Sequence, residues 1–156
     1  MSDLAVSLQN LTLAYGKTVA VPSLNLDIRK GELIALLGPS GCGKTTTMRA
    51  IAGLMAPQSG SIIIDDVDVT KVSANKREIG LVFQSYALFP HLSAFENVAF
   101  GLRLKKKPTE QIKQTVEAGL ALVGLSHLAQ RMPAELSGGQ QQRLSLARSL
   151  VMEPKV

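Results

Sequence analysis

Gly38, Pro39, Ser40, Gly41, Cys42, Gly43, Lys44 and Thr45 stand in one run: a glycine, four free positions, then Gly-Lys-Thr. These residue types suit the capture of a polyphosphate. Gly38, Gly41 and Gly43 carry no Cβ, so the backbone can curl tightly and turn successive N–H groups toward one point. A helix beginning at the end of such a loop adds free N–H groups and a partial positive charge. The Lys44 ammonium can reach terminal phosphates, and the Thr45 hydroxyl is placed to ligate a Mg²⁺ ion. The competing reading is a plain glycine turn joining a strand to a helix.

The neighbouring residues favour the phosphate reading. Residues 33–37 (Leu-Ile-Ala-Leu-Leu) form a short apolar block, which predicts a strand buried on both faces. Residues 45–52 contain no helix breaker before Gly53, which predicts a helix closed by a glycine. A second turn of the same kind lies at Leu136, Ser137, Gly138, Gly139 and Gln140. It opens another predicted helix, with Leu144, Ala147 and Leu150 or Val151 on one face and Pro154 as its stop.

Leu4, Val6 and Leu8, then Leu11 and Leu13, alternate with polar residues, which predicts a half-buried strand. Gly16 and Lys17 mark a turn, residues 18–21 and 24–28 read as further strands, and Tyr15 ends the first strand with an aromatic ring suited to stacking. Residues 62–64 and 79–83 read as two more strands. From Gln84 the pattern becomes helical. Ser93 and Glu96 form a capping-box pair, and residues 105–108 (Lys-Lys-Lys-Pro) break the helix behind them. Thr109 is expected to cap a further helix carrying Ile112, Val116, Leu120 and Val123 on one face, ended by Gly124. Asp65, Asp66 and Asp68 lack calcium-loop spacing and read as a solvated turn. His91 and His127 have no second ligand at metal spacing.

With 156 residues, 46% hydrophobic and 19% charged, the chain has enough apolar material for one globular domain. Aromatics are only 4%, so the core must be aliphatic. The formal net charge of +5 permits nucleic acid, an anionic membrane surface or a nucleotide as partner, and selects none. The lone Cys42 cannot form an internal disulfide, which agrees with a reducing compartment. The start, Met1-Ser2-Asp3-Leu4, lacks the basic head and apolar run of a signal peptide. No apolar stretch approaches the about 20 residues that span a bilayer.

Taken together, three motifs resemble the ATP-binding-cassette (ABC) transporter family: the phosphate loop, residues 82–91 (V-F-Q-S-Y-A-L-F-P-H) and residues 136–140 (L-S-G-G-Q). The extended forms are most similar to ATPase subunits of bacterial importers of polyamines, ferric iron, phosphonates and sugars. The resemblance implies an α/β P-loop nucleoside triphosphate hydrolase fold of the ABC ATPase type, with N-terminal antiparallel strands and a helical subdomain. It implies a nucleotide-binding core over residues 1–84, a helical subdomain over 85–139 and a return helix over 140–156. The implied cofactors are ATP and Mg²⁺. Tyr15 would stack on adenine, Lys44 would hold the β- and γ-phosphates, Thr45 would bind Mg²⁺ and Thr46 would contact the α-phosphate. Gln84 would touch Mg²⁺ and the attacking water. Ser137 and Gly139, with Gly138 and Gln140 in the same turn, would grip the γ-phosphate of an ATP held by a second ATPase subunit. Implied partners are transmembrane permease subunits and, indirectly, a solute-binding protein. Nucleic acid is not expected, and the place of work would be the cytoplasmic face of the inner membrane.

The chain departs from the family pattern at its end. After Glu153, Pro154 and Lys155 the family continues into an apolar strand carrying an Asp for Mg²⁺ and a Glu that activates water. On this reading the sequence is the front part of an ATPase, expected to hydrolyse little by itself. Two other classes fit the motifs: a soluble ABC ATPase acting on nucleic acid or ribosomes, and a non-hydrolysing nucleotide-binding module. The solute is not written in this chain.

Overall fold

The computed structural model describes residues 3–156, so the N-terminal Met1 and Ser2, read above for targeting signals, lie outside the described residues. The chain divides into two compact units, one running to Ile79 and including Lys155–Val156, the other Gly80–Pro154.

The first unit is built on an antiparallel hairpin. Strand β1 (Leu4–Tyr15) turns at Gly16 and Lys17 into β2 (Thr18–Arg29), with Tyr15 opposite Thr18. The two short strands expected over residues 18–28 are one strand, kinked at Ser23, whose φ is 45°. Strands β3 (Ser59–Ile64) and β4 (Val67–Asp68) complete a sheet of order β2-β1-β3-β4.

One detail of β1 explains how its leucines stay together. Leu8 and Leu11 are three residues apart, which in a regular strand would put them on opposite faces. The β1 register shifts between Leu8 and Leu11, and Asn10 adopts a left-handed φ of 48°. That bulge returns Leu11 and Leu13 to the face of Val6 and Leu8, so all four are buried with Ile62, Ile64 and Ala50. Gly60 lies against the bulge, where a Cβ would come within 2.4 Å of the Asn10 carbonyl oxygen.

Helix α1 (Lys44–Ile51) follows the phosphate loop and presents Ala50 to this core. It ends at Ile51 with Ala52 at the cap, and Gly53 takes a φ of 78° just beyond, as expected of a glycine stop. The Asp65–Asp66 turn between β3 and β4 has both residues left-handed, and Asp65 pairs with Lys30 at 3.2 Å. Asp68 accepts from both the backbone and the hydroxyl of Thr70. Among the described residues no cluster of three His, Cys, Asp or Glu is placed to hold a metal.

The second unit packs α2 (Ala94–Leu104), α3 (Thr109–Leu122) and α4 (Gly138–Leu150) around Val98, Leu102, Ile112, Val116, Leu120, Leu144 and Ala147. The helical face read from sequence for α4 resolves to Val151, which is buried, while Leu150 is exposed. Ser93 caps α2 by accepting from the Glu96 N–H, but the Glu96 carboxylate turns to Arg103 instead of closing the box. Thr109 is the first helical residue of α3; the cap position falls to Pro108, which offers no side-chain bond. The proline fixes an extended φ/ψ before the helix, which moves the boundary one residue back.

Two expected strands do not form. Residues 33–37 and 79–83 have no strand assignment, and Leu33 and Leu37 are 95% and 90% exposed. A strand buried on both faces requires ladder partners on either side, and among the described residues none pairs with these segments. Among the described residues no helix is long and apolar enough to cross a membrane.

Candidate functional site

The phosphate loop is the best-defined chemical feature. Gly38, Gly41 and Gly43 have φ of 152°, 84° and 90°, conformations that a side chain resists. At Gly43 the reason is also steric, because a Cβ would lie 2.4 Å from Val21 Cγ2 of β2. At Gly38 a Cβ would meet Cys42 Sγ at 2.7 Å. The hairpin therefore fixes the start of α1, and the loop folds on itself ahead of it.

Helix α1 begins without a side-chain cap. Its first internal bond runs from the Thr47 N–H to the Gly43 carbonyl at 2.8 Å, so the N–H groups of Lys44, Thr45 and Thr46 precede the helical ladder. Such donors at a helix N-terminus, beside loop amides, fit an anion. The Lys44 ammonium donates to the carbonyls of Gly38 at 2.8 Å and Pro39 at 2.7 Å and lies 3.3 Å from Cys42 Sγ. Lys44 thus spans the loop whose amides it would serve. Thr45 is exposed, whereas the Thr47 hydroxyl is spent on the Gly43 carbonyl at 2.9 Å. The residues present fit a Mg²⁺-bound polyphosphate: uncapped N–H donors, one ammonium, and one free hydroxyl next to it.

Tyr15 closes the side of this loop. The residue is 53% exposed, and its hydroxyl hydrogen-bonds the Thr46 side chain, which is buried. That bond, and then Arg49, hold the phenol below the ordinary tyrosine range. The sequence suggested only that the ring could stack; its bond to the loop helix is a product of the hairpin.

In the second unit, Ser137 caps α4. Its hydroxyl accepts from the Gln140 N–H at 3.4 Å, and the Gln140 side-chain oxygen accepts from the Ser137 N–H at 2.8 Å. This reciprocal box occupies two of the donors at that helix start, in contrast to α1. Ser137, Gly138 and Gly139 are exposed, and Gln140 is half-buried.

Gln84 is exposed in a turn closed by Tyr86 N–H to the Phe83 carbonyl at 2.9 Å. Sequence reading did not find the residues that hold the segment after it. Asn97, fully buried on α2, accepts from the Phe89 N–H at 2.8 Å and donates to the carbonyls of Phe89, Leu92 and Ser93. Arg148 and Ser145 of α4 hold the carbonyls of Tyr86 and Ala87. The only signal available in advance was a polar residue inside an apolar helical face, as at Asn97. His91 is exposed and edge-on to Phe89 at 6.3 Å, and His127 is exposed. A cavity of about 660 Å³ between α2 and α3, lined by Ser93, Glu96, Lys113, Glu117 and Ser126 among others, includes none of the site residues expected from sequence.

A glycine loop feeding an uncapped helix, with a lysine across its mouth, defines a P-loop nucleotide-binding fold. The ABC transporter family model matches residues 21–156, and the chain belongs to that family. It is 53% identical over 152 residues to the Fe(3+) ions import ATP-binding protein FbpC 1 of Rhizobium meliloti, covering 97% of this chain and 43% of that protein. It is also 53% identical to the spermidine/putrescine import ATP-binding protein PotA of Haemophilus influenzae, covering 97% of this chain and 41% of that protein. The chain therefore spans less than half the length of these curated relatives.

Among solved structures, it superposes with a TM-score of 0.86 on the ATP-binding cassette MJ0796 in a dimeric post-hydrolysis state bound to ADP and Pi, at 35% identity, covering 96% of this chain and 70% of that one. CbiO1 of Clostridium perfringens, part of the ABC transporter complex cbiONQ, gives 0.86 at 32% identity, covering 98% of this chain and 63% of that one. The fold is that of an ABC ATPase cassette, as the motifs implied, with its antiparallel strands and its helical unit.

Proposed function

We propose that this chain is the nucleotide-binding part of an ATPase subunit that powers import of a small solute through partner membrane permeases. The observation that carries the reading is the loop around Lys44: left-handed glycines, an uncapped helix start and an ammonium held over two loop carbonyls. The import relatives named above support the direction of transport. The subunit would work at the cytoplasmic face of the inner membrane, with a second ATPase subunit and, indirectly, a solute-binding protein as further partners.

Bound Mg²⁺-ATP would supply the phosphoanhydride and the metal charge. On the protein side, the backbone of residues 38–43 and Lys44 hold the β- and γ-phosphates, the Thr45 hydroxyl ligates the ion, and Thr46 contacts the α-phosphate. Tyr15 stacks on adenine; its exposure and the anchoring of its hydroxyl on Thr46 support this. Gln84 orients water and touches the ion. Ser137, Gly138, Gly139 and Gln140 receive the γ-phosphate of the nucleotide held by the second subunit, an arrangement supported by their exposure at a helix start. The division into core 1–84, helical subdomain 85–139 and return helix 140–156 belongs to the same proposal.

A fluorescent ATP analogue should bind the wild-type chain, and Lys44→Ala should weaken that binding about 10- to 100-fold, the weight of charge-assisted hydrogen bonds. Unchanged affinity in that variant would refute the site. Co-purification with permease subunits supports transport, whereas co-purification with ribosomes or nucleic acid would point to a soluble ABC ATPase.

A further inference from the structure

We propose that Arg148 is a positioning residue for Gln84, acting from helix α4 through the two backbone carbonyls that follow the glutamine turn. The inference rests on the reading of Gln84 as a site residue. Its ground is the backbone of Tyr86 and Ala87. Both are left-handed, at φ 62° and 47°, and neither is a glycine. Two consecutive residues in that region persist only where their surroundings over-determine them.

The surroundings here are specific. Arg148 donates through Nη1 to the Ala87 carbonyl at 2.7 Å and through Nη2 to the Tyr86 carbonyl at 3.2 Å. Ser145, one helical turn earlier and fully buried, donates its hydroxyl to the same Tyr86 carbonyl at 2.9 Å. The guanidinium is half-buried, and its carbon stands 5.5 Å from the centre of the Phe89 ring. The planar fork of arginine matches two successive carbonyls, which a lysine ammonium cannot bridge while also stacking on Phe89. On the other side, the turn is closed by Tyr86 N–H to Phe83 at 2.9 Å and Ala87 N–H to Ser85 at 2.7 Å. Gln84 sits inside that closure. Its backbone is therefore fixed by the helix that Ser137 caps, and one rigid element sets both motifs of this unit.

The test is a cycle in the full-length subunit, with Arg148→Ala, Arg148→Lys, Gln84→Ala and the double variant Gln84→Ala/Arg148→Ala. Arg148→Ala should lower kcat about tenfold or more, with nucleotide affinity held within about twofold, because a loss of positioning acts on turnover. Arg148→Lys should recover only a minor part. The double variant should turn over no more slowly than Gln84→Ala, since residues acting as a unit are not additive. A double variant slowed by the product of the two single effects would overturn the inference.

Hydrogen exchange provides the second readout. Arg148→Ala should speed exchange at the Tyr86 and Ala87 amides about tenfold or more, while the Val98 and Ala99 amides of α2 keep their protection. Ser145→Ala, which keeps the guanidinium, should give a smaller change at the same two amides and serves if Arg148→Ala fails to fold. Unchanged exchange at both amides in Ser145→Ala and Arg148→Lys would equally overturn it. Wild-type turnover in Gln84→Ala would sink the reading of Gln84 and the catalytic half of this inference, while the exchange data would still decide whether Arg148 fixes the turn.

Discussion

Arg77 reaches the carbonyl of Ala50 with its Nη1 at 2.8 Å, across 27 residues of chain. The same nitrogen takes the Ile51 carbonyl at 2.8 Å, while Nε and Nη2 take those of Val72 and Thr70. A buried guanidinium thus caps the last turn of the helix that begins at Lys44, where orphan carbonyls and the negative dipole end favour a cation. Burial lowers its pKa from the ordinary arginine value, in the direction expected of a desolvated cation. Arg77→Met should cost about 3 kcal/mol or more, because the carbonyls of Ile51, Val72 and Thr70 lose their donors together, while that of Ala50 keeps the Gly53 N–H at 3.0 Å. Arg77→Lys should restore little, having no fork. Chemical denaturation of the variants checks both, and a midpoint shared with the wild type would show the cap to be dispensable.

Asn97 should be as sensitive to charge as to truncation. Its amide oxygen accepts one bond, and its two N–H groups are shared among three carbonyls. Asn97→Ala should destabilise by roughly 2–4 kcal/mol, because the Phe89 N–H loses its acceptor and the Leu92 carbonyl its donor. Asn97→Asp keeps the shape but cannot donate, so it should be no better. An Asp variant with wild-type stability in a denaturation curve would mean that the Leu92 carbonyl needs no donor from this side chain.

Gly43 should tolerate no side chain. Its φ of 90° and the 2.4 Å approach of Val21 Cγ2 penalise even alanine. Gly43→Ala should cost about 1–2 kcal/mol from conformation alone, with the clash in addition, and should weaken nucleotide binding. Gly16→Ala is the contrast, because nothing lies within 4 Å of its Cβ direction and only the φ of 59° opposes it. Thermal unfolding and analogue binding, run on both variants, should separate them. Equal losses would show that the approach of Val21 is immaterial.

Glu135 gives a pH signature. The Met132 N–H at 2.7 Å and then the Arg131 guanidinium at 3.1 Å hold its carboxyl below the ordinary glutamate range. A depressed folded-state pKa contributes stability that is complete above the unfolded pKa and lost as pH falls through the folded one. Glu135→Gln should therefore be less stable than the wild type near neutrality, and the gap should close as pH drops below the ordinary glutamate range. Side-chain carboxyl NMR should place the Glu135 titration on the acid side of an ordinary glutamate. A gap that persists unchanged into acid would remove the carboxylate from the explanation.

The sequence alone determined the features whose physics is local. The order Gly38, Gly41, Gly43, Lys44 already requires a curled loop before a helix, and the Ser137, Gly138, Gly139 turn already announces the helix behind it. The alternation of Val6, Leu8, Leu11 and Leu13 showed the strand, though not the bulge at Asn10 that keeps all four on one face. Tertiary structure decided what depends on distant partners. Residues 33–37 have the composition of a buried strand, yet composition supplies no ladder, and among the described residues no strand pairs with the segment. No motif or spacing marks Arg77, Asn97 or Arg148 in the sequence. Each became structural because chain folding brought a carbonyl in need of a donor within reach, that of Ile51, Leu92 and Ala87 respectively, and a buried carbonyl without a donor is too costly to leave.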